Sequence, residues 1–175
     1  YRWLSWVAHP NKEKGVTYSV ARDITELKHN EEALKKRKAL LDTTGRMARV
    51  GGWELDADTM EVAWTEETYR IHEAPLDQKP PLREAINYFH PEDRQQLELA
   101  IDHALDHGEP YDMEIRFITA QGNHLWVRTK CQPEIVNGKV VRLLGTFQDI
   151  TDRKRVEEAL KESKTFLENM TDVAY

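Results

Sequence analysis

The sequence contains a single cysteine, Cys131, among its 175 residues. One cysteine excludes a disulfide within the chain and a zinc site built from several thiolates. Apolar runs extend for only a few residues, far short of the roughly 20 that a membrane-spanning helix needs. The N-terminus carries no apolar leader with a small-residue cleavage site. We therefore expect a segment that lies in the reducing cytoplasm and outside the membrane.

The chain also lacks an excess of positive charge. Its 25 basic residues are outnumbered by 31 acidic ones, giving a net charge of −6. The basic residues concentrate in 28–38 and 153–164, where they alternate with glutamates as on a solvated helix surface. No basic stripe, catalytic Ser-His-Asp order, glycine-rich phosphate loop or cluster of metal ligands is present. We expect this segment to be no enzyme and to bind neither nucleic acid nor a metal.

What the chain does contain is an internal repeat at domain-sized spacing. Asp-Ile-Thr occurs at 23–25 and again at 149–151, and Glu-Glu-Ala-Leu-Lys follows each copy at the same offset of 126 residues. Upstream of each copy stand a tryptophan (Trp3, Trp126), a glycine turn and an apolar strand pattern. The chain therefore reads as the tail of one repeat, one full repeat and the beginning of a third.

Domain boundaries follow from that repeat. We predict the last strands of a preceding domain at 1–25, a linker helix at 26–47 and a complete domain at 48–150. A second linker helix is predicted at 151–170, and the start of a following domain at 171–175.

Both predicted linker helices carry apolar residues at heptad spacing. Leucine recurs every seven residues in the first helix, with polar residues at the intervening core position. The second helix repeats the pattern with a more apolar intervening position. The predicted dimer seam consists of Leu27, Leu34, Leu41, Val156, Leu160 and Leu167. Pairing of two copies is one interpretation, and packing of each helix on its own domain is the other.

Between the linkers, the pattern predicts two strands, short helices, a longer helix and three strands. Pro91 and Gly108 bound the longer helix at its first position and its end. Alternating residues from Tyr111 to Phe117 predict a strand with one buried face. Asn137-Gly138 predicts a tight hairpin between the last two strands. This order indicates an α+β domain with an antiparallel sheet.

Several motifs in this region resemble those of the PAS family. They are Val-Gly-Gly-Trp-Glu-Leu-Asp (50–56), His-Pro-Glu-Asp-Arg (90–94), Glu-Ile-Arg-Phe (114–117), Gly-Asn-His-Leu-Trp (122–126) and Gly-Thr-Phe-Gln-Asp-Ile-Thr (145–151). The resemblance covers about residues 40–151. One departure is the run Ile71-His-Glu-Ala-Pro75, where many relatives have a glycine after the first short helix.

The resemblance implies a PAS fold, with five antiparallel strands cupping a small pocket under short helices and a linker helix at each end. Such domains sense small molecules, cofactors, redox state or light. They form dimers and relay strain to output domains such as histidine kinases or cyclic-dinucleotide synthases, and no such output motif occurs here. We therefore expect a homodimeric sensor and relay module, acting on adjacent PAS and output domains. The alternative is a ligand-free dimerisation and spacer module.

The signal-transmission residues predicted by the resemblance are Asp149, Ile150 and Thr151, at the junction between the last strand and the linker helix. Thr151 is predicted to cap that helix, and Asp149 to fix its exit angle. Residues predicted either to fill the core or to line a ligand pocket are Trp53, Tyr69, Phe89, Ile101, Ile115, Phe117 and Phe147. Trp126 is predicted on the outer face of the sheet.

Cofactor chemistry has weak support. His103 and His107 are four residues apart on the long helix, but both fall away from its apolar stripe. His90 is predicted to cap or pack rather than to catalyse. Cys131 lies in a strand pattern and lacks the context of a flavin-reactive cysteine. We therefore consider haem and flavin unfavoured, and the ligand stays unidentified.

Overall fold

The computed structural model describes residues 1–76 and 80–172, with side chains as far as residue 167 in the last helix. The chain divides into two compact units, Tyr1–Thr44 and Gly45–Tyr175. The predicted beginning of a third repeat at 171–175 falls largely outside the described residues. Within the described residues, no helix combines the length and hydrophobicity needed to cross a membrane.

The first unit is a hairpin followed by a helix. Strands β1 (Leu4–Asn11) and β2 (Val16–Asp23) pair antiparallel along their full length. Helix α1 spans Thr25–Ala48, so that its last four residues belong to the second unit, and it has no buried residue. Almost every side chain of the hairpin is exposed, including Trp6 and Val20. Both faces of the hairpin are therefore exposed, and it has no hydrophobic core of its own.

The second unit contains the remaining strands and helices. Its strands are β3 (Val50–Asp56), β4 (Val62–Trp64), β5 (Tyr111–Ile118), β6 (His124–Val136) and β7 (Lys139–Asp149). Its helices are α2 (Glu66–His72), α3 (Leu82–Asn87), α4 (Pro91–His107) and α5 (Thr151–Asp172). The strands form one antiparallel sheet in the order β4-β3-β7-β6-β5. This architecture confirms the predicted fold class.

The core lies between one face of this sheet and helices α2 to α4. Helix α4 buries Leu97, Ile101 and Ala104, three members of the stripe that its sequence predicts. The sheet contributes Phe117 and Val127, both fully buried. The opposite face of the sheet carries charged side chains that form cross-strand ion pairs, such as Arg128 with Asp112. Successive residues of a strand thus alternate between the core and the solvent.

Two local details lie at the ends of helix α2, whose first-turn neighbour Thr65 is a residue type that favours helix capping. Thr65 occupies the position before α2, but its hydroxyl makes no helix-capping bond and accepts one from the Gly52 amide at 2.8 Å. Glu73, which lies directly after α2 in the run 71–75 that departs from the PAS pattern, adopts a left-handed conformation with φ of 54°. Its carboxylate accepts hydrogen bonds from Thr119 and Asn123, and these bonds offset the strain of that conformation.

A close approach at Gly51 fixes helix α2 against strand β3. A β-carbon at Gly51 would lie 2.6 Å from the Thr68 amide nitrogen and 2.8 Å from its α-carbon. At the neighbouring Gly52, the nearest atom would be the flexible methyl of Thr65 at 3.1 Å. A β-carbon at Gly51 would therefore clash with the backbone of Thr68, whereas a β-carbon at Gly52 would meet only a side chain that can move.

We expect Gly51→Ala to lower the free energy of unfolding by about 2 to 3 kcal/mol, because the added methyl must displace α2. Gly52→Ala is the matched control and is expected to cost clearly less. Urea unfolding followed by tryptophan fluorescence measures both. Equal losses for the two variants would contradict this account of the close approach.

Candidate functional site

The junction between β7 and α5 is held by a compact set of hydrogen bonds. One carboxylate oxygen of Asp149 accepts from the Thr151 amide at 2.9 Å and from the Thr151 hydroxyl at 2.6 Å. The same hydroxyl accepts from the Trp126 amide at 3.0 Å, and the Trp126 carbonyl accepts from the Ile150 amide at 2.8 Å. We call this arrangement of Trp126, Asp149, Ile150 and Thr151 the latch.

The latch corrects the predicted division of roles. Thr151 does not cap α5, because its hydroxyl is directed to strand β6 instead of to the helix. Asp149 supplies the acceptor for the first free amide of α5, as a capping side chain does. Ile150 is buried with Thr151, at 5 % and 8 % exposure, so the helix leaves the sheet from a packed and hydrogen-bonded position.

The first unit contains the same latch. The Asp23 carboxylate accepts from the Thr25 amide at 2.9 Å, and the Thr25 hydroxyl accepts from the Trp3 amide at 2.9 Å. The Trp3 carbonyl accepts from the Ile24 amide at 2.8 Å. Hydrogen bonds from Thr25 lower the pKa of Asp23. The sequence repeat is therefore also a repeat of hydrogen-bond geometry.

The first turn of α5 is also tied to the outer face of the sheet. Arg153 and Lys154 both reach the Glu114 carboxylate on β5, each at 2.6 Å. Hydrogen bonds from Lys154 and Arg153 hold the pKa of Glu114 below its usual value. The Lys154 ammonium lies 5.1 Å from the centre of the Trp126 ring. Trp126 is thus on the outer face, as predicted, and a residue of the linker helix lies over it.

A cavity of about 60 Å³ lies between the sheet and the short helices. Of the predicted lining residues, Trp53, Phe89, Ile101 and Phe147 contribute to its wall. A cavity of this size has room for a few water molecules or for a ligand of four or five heavy atoms.

The other three predicted residues lie elsewhere. Ile115 and Phe117 are buried in β5 without being among the described residues that line the cavity, and Tyr69 packs its ring against Trp64. Their side chains fill the core, which was the alternative interpretation of the sequence pattern. Periodicity identifies buried positions, but it does not show which of them border an unfilled space.

Sequence reasoning missed His72 as a site residue. This side chain is only 3 % exposed, and its Nδ1 lies 2.8 Å from the Thr68 carbonyl oxygen. Its ring lies 4.0 Å from Trp64 and 4.7 Å from Phe147, both at tilted angles. Burial lowers the pKa of His72 from 6.5 to about 4. The sequence feature that could have identified His72 was its place at the end of α2, within the run that departs from the PAS pattern.

The remaining candidates stay outside the cavity. His103 and His107 are exposed on the outer side of α4, with ring centres 5.5 Å apart. Cys131 is buried in β6, where burial raises the pKa of its thiol to about 12. His90 precedes α4 without a side-chain capping bond, and its backbone amide donates to the Arg116 carbonyl.

The predicted seam residues are all exposed on their helices. In α1 these are Leu27, Leu34 and Leu41, and in α5 they are Val156, Leu160 and Leu167. Leu34 and Leu160 are 70 % and 71 % exposed. Neither helix therefore buries these seam residues within the described chain, and pairing of the helices stays a prediction.

Comparisons with known proteins agree with this geometry. The family model described as PAS fold matches residues 61–147. The chain is 29 % identical over 163 residues to the probable diguanylate cyclase DgcE of Escherichia coli, covering 92 % of this chain and 15 % of that protein. It is 27 % identical over 124 residues to the sensor protein FixL of Bradyrhizobium diazoefficiens, covering 69 % of this chain and 24 % of that protein.

A solved structure has the same fold. It is that of a sensory box histidine kinase/response regulator from Burkholderia thailandensis, with a TM-score of 0.60 and 27 % identity, covering 74 % of this chain and 98 % of that one. The curated relatives are much longer than this chain, which spans less than a quarter of the length of each of the two named above.

The buried imidazole of His72 predicts a pH-dependent stability. The unfolded chain binds a proton at this residue below pH 6.5, whereas the folded chain resists it down to about pH 4. Stability should therefore fall as the pH drops through this window, by about 3 kcal/mol from this group alone. His72→Phe should remove that part of the slope in urea unfolding, whereas exposed His103→Gln should retain it. An unchanged slope in His72→Phe would refute the assignment.

Proposed function

This chain carries a PAS domain, and from that premise we propose that it is a sensory and signal-relay segment. In this proposal the cavity holds a small ligand. Occupancy or a neighbouring domain biases the latch, and the linker helices of a dimer carry the change to an output domain outside this chain.

The observation that carries the proposal is the latch and its repetition. The same hydrogen bonds join a strand to a helix at Asp23–Thr25 and at Asp149–Thr151. A junction that used only a helix cap would not need the further bond to a neighbouring strand. That extra bond, from Trp3 in one unit and Trp126 in the other, couples the helix to the sheet.

Strand β7 supports a path from the cavity to the latch. Phe147 lines the cavity and contacts the ring of His72. Two residues further along the same strand, Asp149 accepts the hydrogen bonds that begin α5. A displacement of Phe147 would therefore move the strand that positions Asp149, because a hydrogen-bonded strand shifts as a unit. This is a structural connection, and its energetic coupling is what the first test below measures.

The exposed leucines support pairing of the linker helices. On α5, Leu160 and Leu167 are seven residues apart and Val156 precedes Leu160 by four, and all three side chains are exposed. Apolar residues at this spacing are the seam of a two-helix coiled coil, so the occupant we propose is the same helix of a second copy. Similarity to a diguanylate cyclase and to a sensor protein supports the proposal that the whole protein is a signalling enzyme. In this proposal the present segment is the non-catalytic part.

A second candidate is a ligand-free dimerisation and spacer module. The small volume of the cavity, about 60 Å³, favours it, because pockets for drug-sized ligands are about 300 to 1,000 Å³. In that case the same latch would transmit only the strain imposed by neighbouring domains.

The relay is tested by a perturbation at the cavity and a readout at the latch. Ile101→Val removes one methyl group from the cavity wall. We expect it to change hydrogen exchange of the amides at residues 151 to 154. The change should disappear in an Asp149→Ala background, because the link between β7 and α5 is cut. Asp152→Ala, the matched control, removes an exposed carboxylate of the same turn and should preserve the response.

Circular dichroism must show that Asp149→Ala remains folded. Loss of the fold would refute the proposal that Asp149 only couples β7 to α5. A response to Ile101→Val that persists in Asp149→Ala would contradict the relay through the latch.

The pairing is tested by Leu160→Gln, with Lys161→Gln as its matched control at the next position of the helix. Native mass spectrometry of the purified chain is expected to show a dimer for the unchanged protein and for Lys161→Gln. Leu160→Gln should shift the population to monomer, because an amide replaces an apolar seam residue. Monomer in the unchanged protein, or an unaffected dimer in Leu160→Gln, would contradict pairing through this seam.

A further inference from the structure

The described wall of the cavity carries no charge at neutral pH. Two titratable residues line it, His72 and Tyr111. Burial lowers the pKa of His72 to about 4 and raises the pKa of Tyr111, so both side chains are neutral near pH 7. An ion in this cavity would lose its hydration and meet no counter-charge in the described wall, which is costly. The cavity therefore selects against charged ligands.

Polar side chains of the described wall are hydrogen-bonded within the protein. The Thr68 hydroxyl donates to the Gly52 carbonyl at 2.7 Å. The Nδ1 of His72 lies 2.8 Å from the Thr68 carbonyl oxygen, and Tyr111 is hydrogen-bonded to Thr129. A polar ligand would have to compete with these internal bonds.

Burial of a polar ligand would also cost its hydrogen bonds to water. Among the described residues, the only buried side-chain nitrogen or oxygen atom without a hydrogen-bond partner is Nδ1 of His90, and His90 is not among the residues that line the cavity. A hydroxyl, amide or ether of a ligand would give up water on entry and find no such atom to replace it. Binding therefore favours a molecule that has no hydrogen bonds to lose.

The rest of the wall is aliphatic and aromatic. Leu55, Leu97 and Ile101 contribute aliphatic side chains, and Trp53 and Phe147 contribute aromatic rings. Atoms beside an unfilled space forfeit dispersion contacts, and a cavity with apolar walls tends to stay dry and to accept apolar molecules. The volume of about 60 Å³ limits such a molecule to about five heavy atoms.

We propose that this cavity is the binding site of a compact, uncharged and apolar molecule of at most about five heavy atoms. The inference rests on the sensing half of the proposed function and names its ligand class. The ligand gains the hydrophobic transfer term and the dispersion contacts that the unfilled space lacks. Because Phe147 is part of the wall, the ligand contacts the strand that ends at the latch.

Cyclopentane and tetrahydrofuran form a matched pair of probes for this class. Both are saturated five-membered rings of nearly the same size, and an ether oxygen in tetrahydrofuran replaces one methylene group. Each is titrated into the ¹⁵N-labelled chain, and binding is followed by the NMR shifts of amides that line the cavity, such as those of Thr129 and Phe147. We expect cyclopentane to bind on the order of tenfold more tightly, because the ether oxygen is buried without a partner.

A variant that fills the cavity locates the binding site. Ala85 lines the cavity, and Ala85→Leu adds three carbon atoms there, so the response to cyclopentane should disappear. Ala39→Leu is the matched control at an exposed position of α1 and should keep the response. Should Ala85→Leu fail to fold, Ile101→Ala tests the same site in the opposite direction. Its enlarged cavity should bind cyclohexane more tightly than the unchanged protein does.

Three results would overturn the inference. Equal affinities, or tighter binding of tetrahydrofuran, would overturn the apolar class while leaving a cavity that accepts small molecules. A response to cyclopentane that survives in a folded Ala85→Leu would move the site away from this cavity. Binding of neither probe would remove the ligand altogether. The relay proposal would still be decided separately by hydrogen exchange in Ile101→Val, which needs no ligand.

Discussion

The main chain of Trp126 makes two hydrogen bonds to the segment that leaves the sheet, one to the Ile150 amide and one to the Thr151 hydroxyl. These bonds join strand β6 to the point where β7 ends and α5 begins. Further attachments of α5 include ion pairs of partly exposed side chains, such as Arg153 with Glu114, which contribute at most about 1 kcal/mol each. The direction of the helix therefore depends mainly on the latch.

Two glycines bring the backbone close to side chains and backbone that line the cavity. Gly51 brings β3 against Thr68 of α2, and Gly145 lets the indole of Trp53 lie directly on β7. Trp53 and Thr68 both line the cavity, to which the helices α2, α3 and α4 contribute further residues. His72 ends α2, and Glu73 after it completes the turn through a left-handed conformation and two side-chain hydrogen bonds. Glu73, in the run that departs from the PAS pattern, therefore follows the imidazole directly in a turn held by its own side chain.

The strands, the long helix and the hairpin turn were predictable because each depends on neighbouring residues. Alternation gave β5, the apolar stripe gave the buried face of α4, and Asn137-Gly138 gave a turn in which both residues have positive φ. Thr65 shows where such reasoning stops, because a threonine before a helix has two available partners. Its hydroxyl bonds to Gly52, and only the folded sheet brings that residue within reach.

The sequence by itself determined the repeat, the PAS fold and the position of the latch, because these follow from motifs and periodicities that are written along the chain. Tertiary structure alone decided which aromatic residues border the cavity, that Thr151 bonds to Trp126 rather than capping its helix, and that His72 is buried against Trp64 and Phe147. The physical reason is that each of these depends on a contact between residues distant in sequence or on a space left unfilled. Local patterns of polarity do not encode either one.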